Sequence, residues 1–215
     1  MDHSIIHFLQ TEAKVSSISQ ALMASQDYSN NLGLGGETHV HIATLFGLKE
    51  VIVDLLSNRD TPDPRDSNGK TLLLYAAAHG YNALVELLLT TYGVDPDPEA
   101  TSPPDDQGRT PLSFAAGMGK KAVVKLLLAR QNVNPNSKNT VSSQTPLVYA
   151  AEKEHKNIIK QLLNKGANPK MQLTGSYGRE GQTPLSIAAE NSHDAIVELF
   201  LAHPDVNINL KGESN

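Results

Sequence analysis

The residues whose types and spacing suit chemistry are few, and histidines lead them. His3 and His7 stand four apart, which on a helix turns both imidazoles to one side as a metal pair requires, but the sequence names no third ligand. His39 and His41 flank a single valine, and His41 reads more simply as the brace of its own turn. Asp95, Asp97, Glu99, Asp105 and Asp106 offer oxygens for calcium, yet the prolines between them prevent the compact loop that such a site needs. They read instead as a solvated loop with a negative face. Leu32-Gly33-Leu34-Gly35-Gly36 is glycine-rich but follows no strand, so it reads as a linker rather than a phosphate cradle. The serine nucleophile elbow, the helical zinc-protease signature and the P-loop are absent. No catalytic, cofactor or metal residues are assigned.

Composition narrows the alternatives. The 215 residues, 39% of them hydrophobic, suffice for one large domain or two small ones. Eighteen Lys and Arg against 23 Asp and Glu give a net charge of -5, so no global basic field attracts phosphate backbones and no direct nucleic-acid partner is expected. Cysteine is absent, as is any Asn-x-Ser/Thr acceptor, which fits a reducing cytoplasmic or nuclear compartment. Met1 to Gln10 carries acidic Asp2 and an apolar run broken by His7, unlike a signal peptide. Apolar stretches such as Leu126-Leu127-Leu128 fall far short of the roughly 20 residues that cross a bilayer, so no membrane is expected.

The elements that must position any site come from an internal repeat. Five similar cores begin at Thr38, Thr71, Thr110, Thr145 and Thr183, spaced 33, 39, 35 and 38 residues apart. Each is followed by an alanine pair or its near match (Ala43-Thr44, Ala76-Ala77, Ala115-Ala116, Ala150-Ala151, Ala188-Ala189) and then by an aliphatic run such as Val123-Val124-Lys125-Leu126-Leu127-Leu128. In Gly108-Arg109-Thr110-Pro111-Leu112, Thr110 suits a helix cap and Pro111 the first helical position, where a missing N–H costs nothing. The alanines let a neighbouring helix approach closely. Gly119, like Gly47 and Gly80, ends that helix in a left-handed turn, and the aliphatic run supplies a second helix. No such pair buries its apolar face alone, so the units must stack.

This pattern of threonine-proline-leucine turn, alanine pair and closing Lys165-Gly166-Ala167-Asn168 resembles the ankyrin repeat over about residues 33 to 210. The resemblance implies an all-α ankyrin-repeat solenoid of about five helix-turn-helix units (near 33–65, 66–105, 106–139, 140–177 and 178–210), with long hairpin fingers between them. It also implies that His155 and His193, at a position where such units often carry histidine, are structural. Residues 1–32 do not repeat. Ile5, Phe8, Leu9, Val15, Ile18 and Leu22 have helical spacing and read as an N-terminal helical cap ahead of the repeat domain at 33–215. The segment from Phe8 to Ser17 further resembles the lead-in to ankyrin arrays of large fungal multidomain proteins, which implies a fungal source and a recognition role.

Departures from the pattern carry their own expectations. Glu154 and Ser192 replace the left-handed glycine in units four and five, which strains those turns by roughly 1 kcal/mol. The inserts Asp60-Thr61-Pro62-Asp63-Pro64, Asp95-Pro96-Asp97-Pro98, Ser102-Pro103-Pro104-Asp105-Asp106 and Gly175-Ser176-Tyr177-Gly178 are turn formers and mark long exposed fingers. The last unit is as apolar as an internal one, so its outer end is expected to meet a second copy, further repeats or another partner.

By analogy with the family, a protein partner is bound on the concave face by residues that vary between units. These are Phe46, His79, Met118, Lys153 and Asn191 at the ends of the first helices, and Lys70, Arg109, Arg179 and Glu180 on the finger side. The leading expectation is a non-catalytic protein-binding scaffold, a regulatory or coregulator module. The alternatives are a small enzyme of specialised metabolism, with a histidine and a finger aspartate in a pocket, and a purely structural unit.

Overall fold

The computed structural model describes residues 39–45, 47–57, 62–66, 68–97, 107–174 and 179–206. The expected cap at 1–32, Phe46, Ser67, the finger pieces 98–106 and 175–178 and the tail 207–215 lie outside the described residues. Among the described residues five helix pairs follow one another: α1 (His39–Leu45) with α2 (Lys49–Leu56), α3 (Leu72–His79) with α4 (Asn82–Thr90), α5 (Pro111–Gly117) with α6 (Lys121–Leu128), α7 (Pro146–Glu152) with α8 (Lys156–Asn164), and α9 (Pro184–Glu190) with α10 (Asp194–Leu201). No strand occurs among the described residues, and the class is all-α. An isolated bridge between Arg65 and Thr71 closes the base of one finger.

The repeat threonines start the first helices as their chemistry dictates. Thr71, Thr110, Thr145 and Thr183 accept the backbone N–H of Leu74, Ser113, Val148 and Ser186, and proline follows the last three at the first helical position. Left-handed residues close the turn to the second helix. Glu154 and Ser192 adopt φ of 57° and 58°, so units four and five hold β-carbon residues where the others use glycine. Gly119, at φ 72°, also has no room for a side chain, because a β-carbon there would stand 2.9 Å from the His155 ring.

First helices pack on first helices and second helices on second helices, giving an inner row (α1, α3, α5, α7, α9) and an outer row (α2, α4, α6, α8, α10). The alanine pairs are why the inner row packs closely, since Ala76, Ala77, Ala115, Ala116, Ala150 and Ala151 are all fully buried. The core runs without a break from Val40 to Phe200. Its last layer loses cover on one side only. Leu185 and Val197 are half-buried where their counterparts Leu147 and Ile159 are closed off, and Leu201 is 52% exposed where Leu128 is 7%.

Polar side chains tie each unit to the next. Asp97 accepts the backbone N–H of Asn134 at 2.7 Å, and Asn136 accepts that of Asn168 at the same distance, a ladder between successive closing loops. Asp95 adds a bond from the Asn132 amide at 2.7 Å. Asp95 and Asp97 are therefore a clamp between units two and three rather than only a solvated face. Histidines brace the turns: the ring Nε2 atoms of His155 and His193 lie 3.1 and 3.0 Å from the carbonyls of Gly117 and Glu152, one unit back. Fully buried His41 likewise reaches the Pro64 carbonyl at 3.0 Å, bracing the next finger.

Candidate binding face

One position recurs at the C-terminal end of every inner helix, eight residues after the repeat threonine. His79, Met118, Lys153 and Asn191 occupy it, and all four are exposed, while the alanine pairs two and three residues earlier in units two to four are buried. Since the inner helices stack side by side, these side chains line up one per unit on the inner row. Met118 is 58% exposed, an adaptable thioether left in water at the middle of the row. Asn191 bonds back to the Ile187 carbonyl at 2.8 Å. His79 stacks on Tyr81 with ring centroids 5.6 Å apart. Phe46, the equivalent in unit one, lies outside the described residues.

A second register position precedes each threonine and carries cations in units two and three. The Lys70 ammonium stands 5.8 Å from the Tyr75 ring centre, and the Arg109 guanidinium 4.2 Å from that of Phe114. Tyr75 and Phe114 are both four residues beyond their threonine, so the two cation–ring contacts are the same contact repeated. Arg179 is held differently, in an ion pair with Glu152 of the preceding unit at 3.1 Å, and Glu180 beside it is exposed. The structure thus holds the Lys70 ammonium and the Arg109 guanidinium near aromatic rings and Arg179 as a strut between units.

The finger bases hold polar centres that the sequence did not mark as such, and Asp66, by sequence a finger-side binding candidate, is buried at 7% exposure. Asp66 accepts the N–H groups of Asn68 and Lys70, each at 2.8 Å, and the Tyr75 hydroxyl at 2.7 Å. Asn139 repeats this in unit four, accepting from Ser142 and Gln144 and donating to the Tyr149 hydroxyl at 3.0 Å. The signal lay in the tyrosines, each four residues after a repeat threonine. Asp63 is a further case. Its carboxyl accepts the Leu73 N–H at 3.0 Å, and burial pushes it up to about 6 against the lowering pull of the Leu73 N–H, the Thr71 hydroxyl, the Leu72 N–H and Arg65. Asp97 is also raised by burial, which outweighs its bonds from Asn134 and Ser137.

Both raised carboxylates are turned onto backbone N–H groups. A groove of about 430 Å³ between the closing turns of units four and five is lined by Leu163, Asn168, Lys170, His203 and Asp205 among others. There the Asp205 carboxylate, 70% exposed, stands 4.0 Å from His203, whose Nδ1 accepts the Asp205 amide at 3.3 Å. That is a local turn in water, not a desolvated acid–base pair. Among the described residues no three His, Cys, Asp or Glu side chains gather as a metal site. No helix of the described residues is long and apolar enough to cross a membrane.

A family model described as ankyrin repeats (three copies) matches the chain over residues 9–100, 40–139, 98–173 and 131–212, together nearly its whole length. A search of curated proteins finds no match.

Proposed function

The chain belongs to the ankyrin-repeat family, whose members generally serve protein–protein interaction, and from that premise we propose that it is a non-catalytic scaffold capturing a protein partner across the inner row and finger bases. The observation that carries this reading is the register of His79, Met118, Lys153 and Asn191: one position, exposed in every described unit that holds it, with four different chemistries on an otherwise repeating frame. A surface built to pack against its own kind would repeat its side chains, as the alanine pairs do. Lys70 and Arg109 extend the row toward the fingers, Phe46 continues it by sequence register, and Arg179 and Glu180 flank it on the finger side. Aromatic, methionine and arginine side chains are those that dominate protein interfaces. The uncovered Leu185, Val197 and Leu201 support a second contact at the end of the stack, with a second copy or further repeats.

The test is affinity capture from cell extract with the wild-type chain and with a His79→Ala, Met118→Ala, Lys153→Ala variant as baits. All three side chains are exposed, so the variant should keep the helical circular-dichroism spectrum. Loss of the same captured protein from the variant alone supports the reading, and retention places binding elsewhere.

A further inference from the structure

The net charge of -5 conceals a strongly uneven distribution. Residues 107–170 contain eleven Lys and Arg and only two acids, Glu152 and Glu154, a balance of +9, so the remainder of the chain carries -14. The fold gathers this excess on one side. Two outward positions of the outer helices and one in the turn beyond each read Lys121, Lys125 and Arg130 in unit three and Lys156, Lys160 and Lys165 in unit four, at equivalent places in each. Helices α6 and α8 pack side by side in the outer row, so Lys121, Lys125, Lys156 and Lys160 form two columns about 10 Å apart with rungs about 6 Å apart, and Arg130 and Lys165 follow in the turns beyond. The five lysines are exposed and Arg130 is half-buried. Among the described residues none of the six is in an ion pair; the acids of this region turn away, Glu152 to Arg179 and Glu154 to His193.

We propose that this band on α6 and α8 is a second docking surface, for a short acidic protein segment. Like charges at this spacing weaken the helices that carry them, so an anionic ligand relieves what the fold leaves uncompensated. Its borders decide the class of ligand. The same positions hold Asn82, Glu86 and Thr91 in unit two, and Asp194, Glu198 and His203 in unit five. A duplex or a lipid surface reaching past two units therefore meets carboxylates on both flanks, whereas a stretch of about six extended residues spans the band. No aromatic side chain stands at these positions to stack a base. The surface lies on the outer row, so it does not depend on the inner-row reading.

The test uses the full chain and a fluorescent glutamate-rich decapeptide, with a short DNA duplex and phosphatidylserine vesicles as competing anions. The variants are Lys121→Gln, Lys125→Gln, Lys156→Gln, Lys160→Gln, and a control with equal charge change at Lys49, Arg65, Lys70 and Lys138. The expected result is saturable peptide binding that is weakened about tenfold by the first variant and not by the control, and that fades as salt shortens the Debye length. Absence of saturable binding, equal loss in both variants, or tighter binding of the duplex or the vesicles overturns the proposal.

Discussion

Asp63 and Leu73 are joined across a finger: the Asp63 carboxyl accepts the Leu73 backbone N–H at 3.0 Å, in the first turn of α3. Units three to five begin this helix with proline, which has no N–H to satisfy. Unit two has Leu72 there instead, and Asp63 reaches in to take the additional donor.

That placement makes stability depend on pH with an unusual sign. The folded value of about 6 lies above the ordinary 3.8, so the folded chain holds a proton that the unfolded chain releases. The contribution is most favourable below about pH 4 and is lost as pH rises through 6. Removing the ionisation with Asp63→Asn should be near neutral at acid pH and stabilising by about 1 to 3 kcal/mol at neutral pH, measured by urea unfolding at both. A gain of the same size at both pH values contradicts the assignment.

Backbone strain gives a second prediction. Ser192 sits at φ 58° and its side chain bonds to none of the described residues, while Glu154 at φ 57° approaches His193 at 3.7 Å. Ser192→Gly should raise stability by about 0.5 to 1 kcal/mol, and Glu154→Gly by less. The reverse change, Gly119→Ala, should cost more than either gains, because the new β-carbon meets the His155 ring. Thermal unfolding of the three variants checks the order.

The Asn139 centre gives a third. Its side chain is 5% exposed and serves two backbone N–H groups and Tyr149. Asn139→Ala leaves those half-buried donors unpaired and should cost about 1 to 2 kcal/mol, whereas Tyr149→Phe removes one bond and should cost less than about 1. Equal costs for the two changes contradict the account.

The pair-by-pair architecture was legible because a repeat writes each instruction five times. Thr110 with Pro111, the alanine pairs and the left-handed Glu154 and Ser192 are local signals, and the structure holds each where local chemistry puts it. What escaped were bonds between units. Asp97 to Asn134 and Asn136 to Asn168 join residues 37 and 32 positions apart, and no local rule pairs them. The candidate face was legible as register, since His79, Met118, Lys153 and Asn191 share one offset from threonine. Its energetics were not: only coordinates show that Arg179 is engaged by Glu152 while Met118 stands in water. The basic band was present in the sequence but cancelled in the total charge, and became visible when stacking set Lys121 and Lys125 beside Lys156 and Lys160.

The most direct test of the central claim is quantitative capture from extract by three baits: the wild-type chain, the His79→Ala, Met118→Ala, Lys153→Ala variant and the outer-band glutamine variant. The account predicts a principal partner that is lost with the inner-row variant, retained by the outer-band variant, and lost without change in the helical circular-dichroism spectrum. Retention of every captured protein by a folded inner-row variant contradicts it.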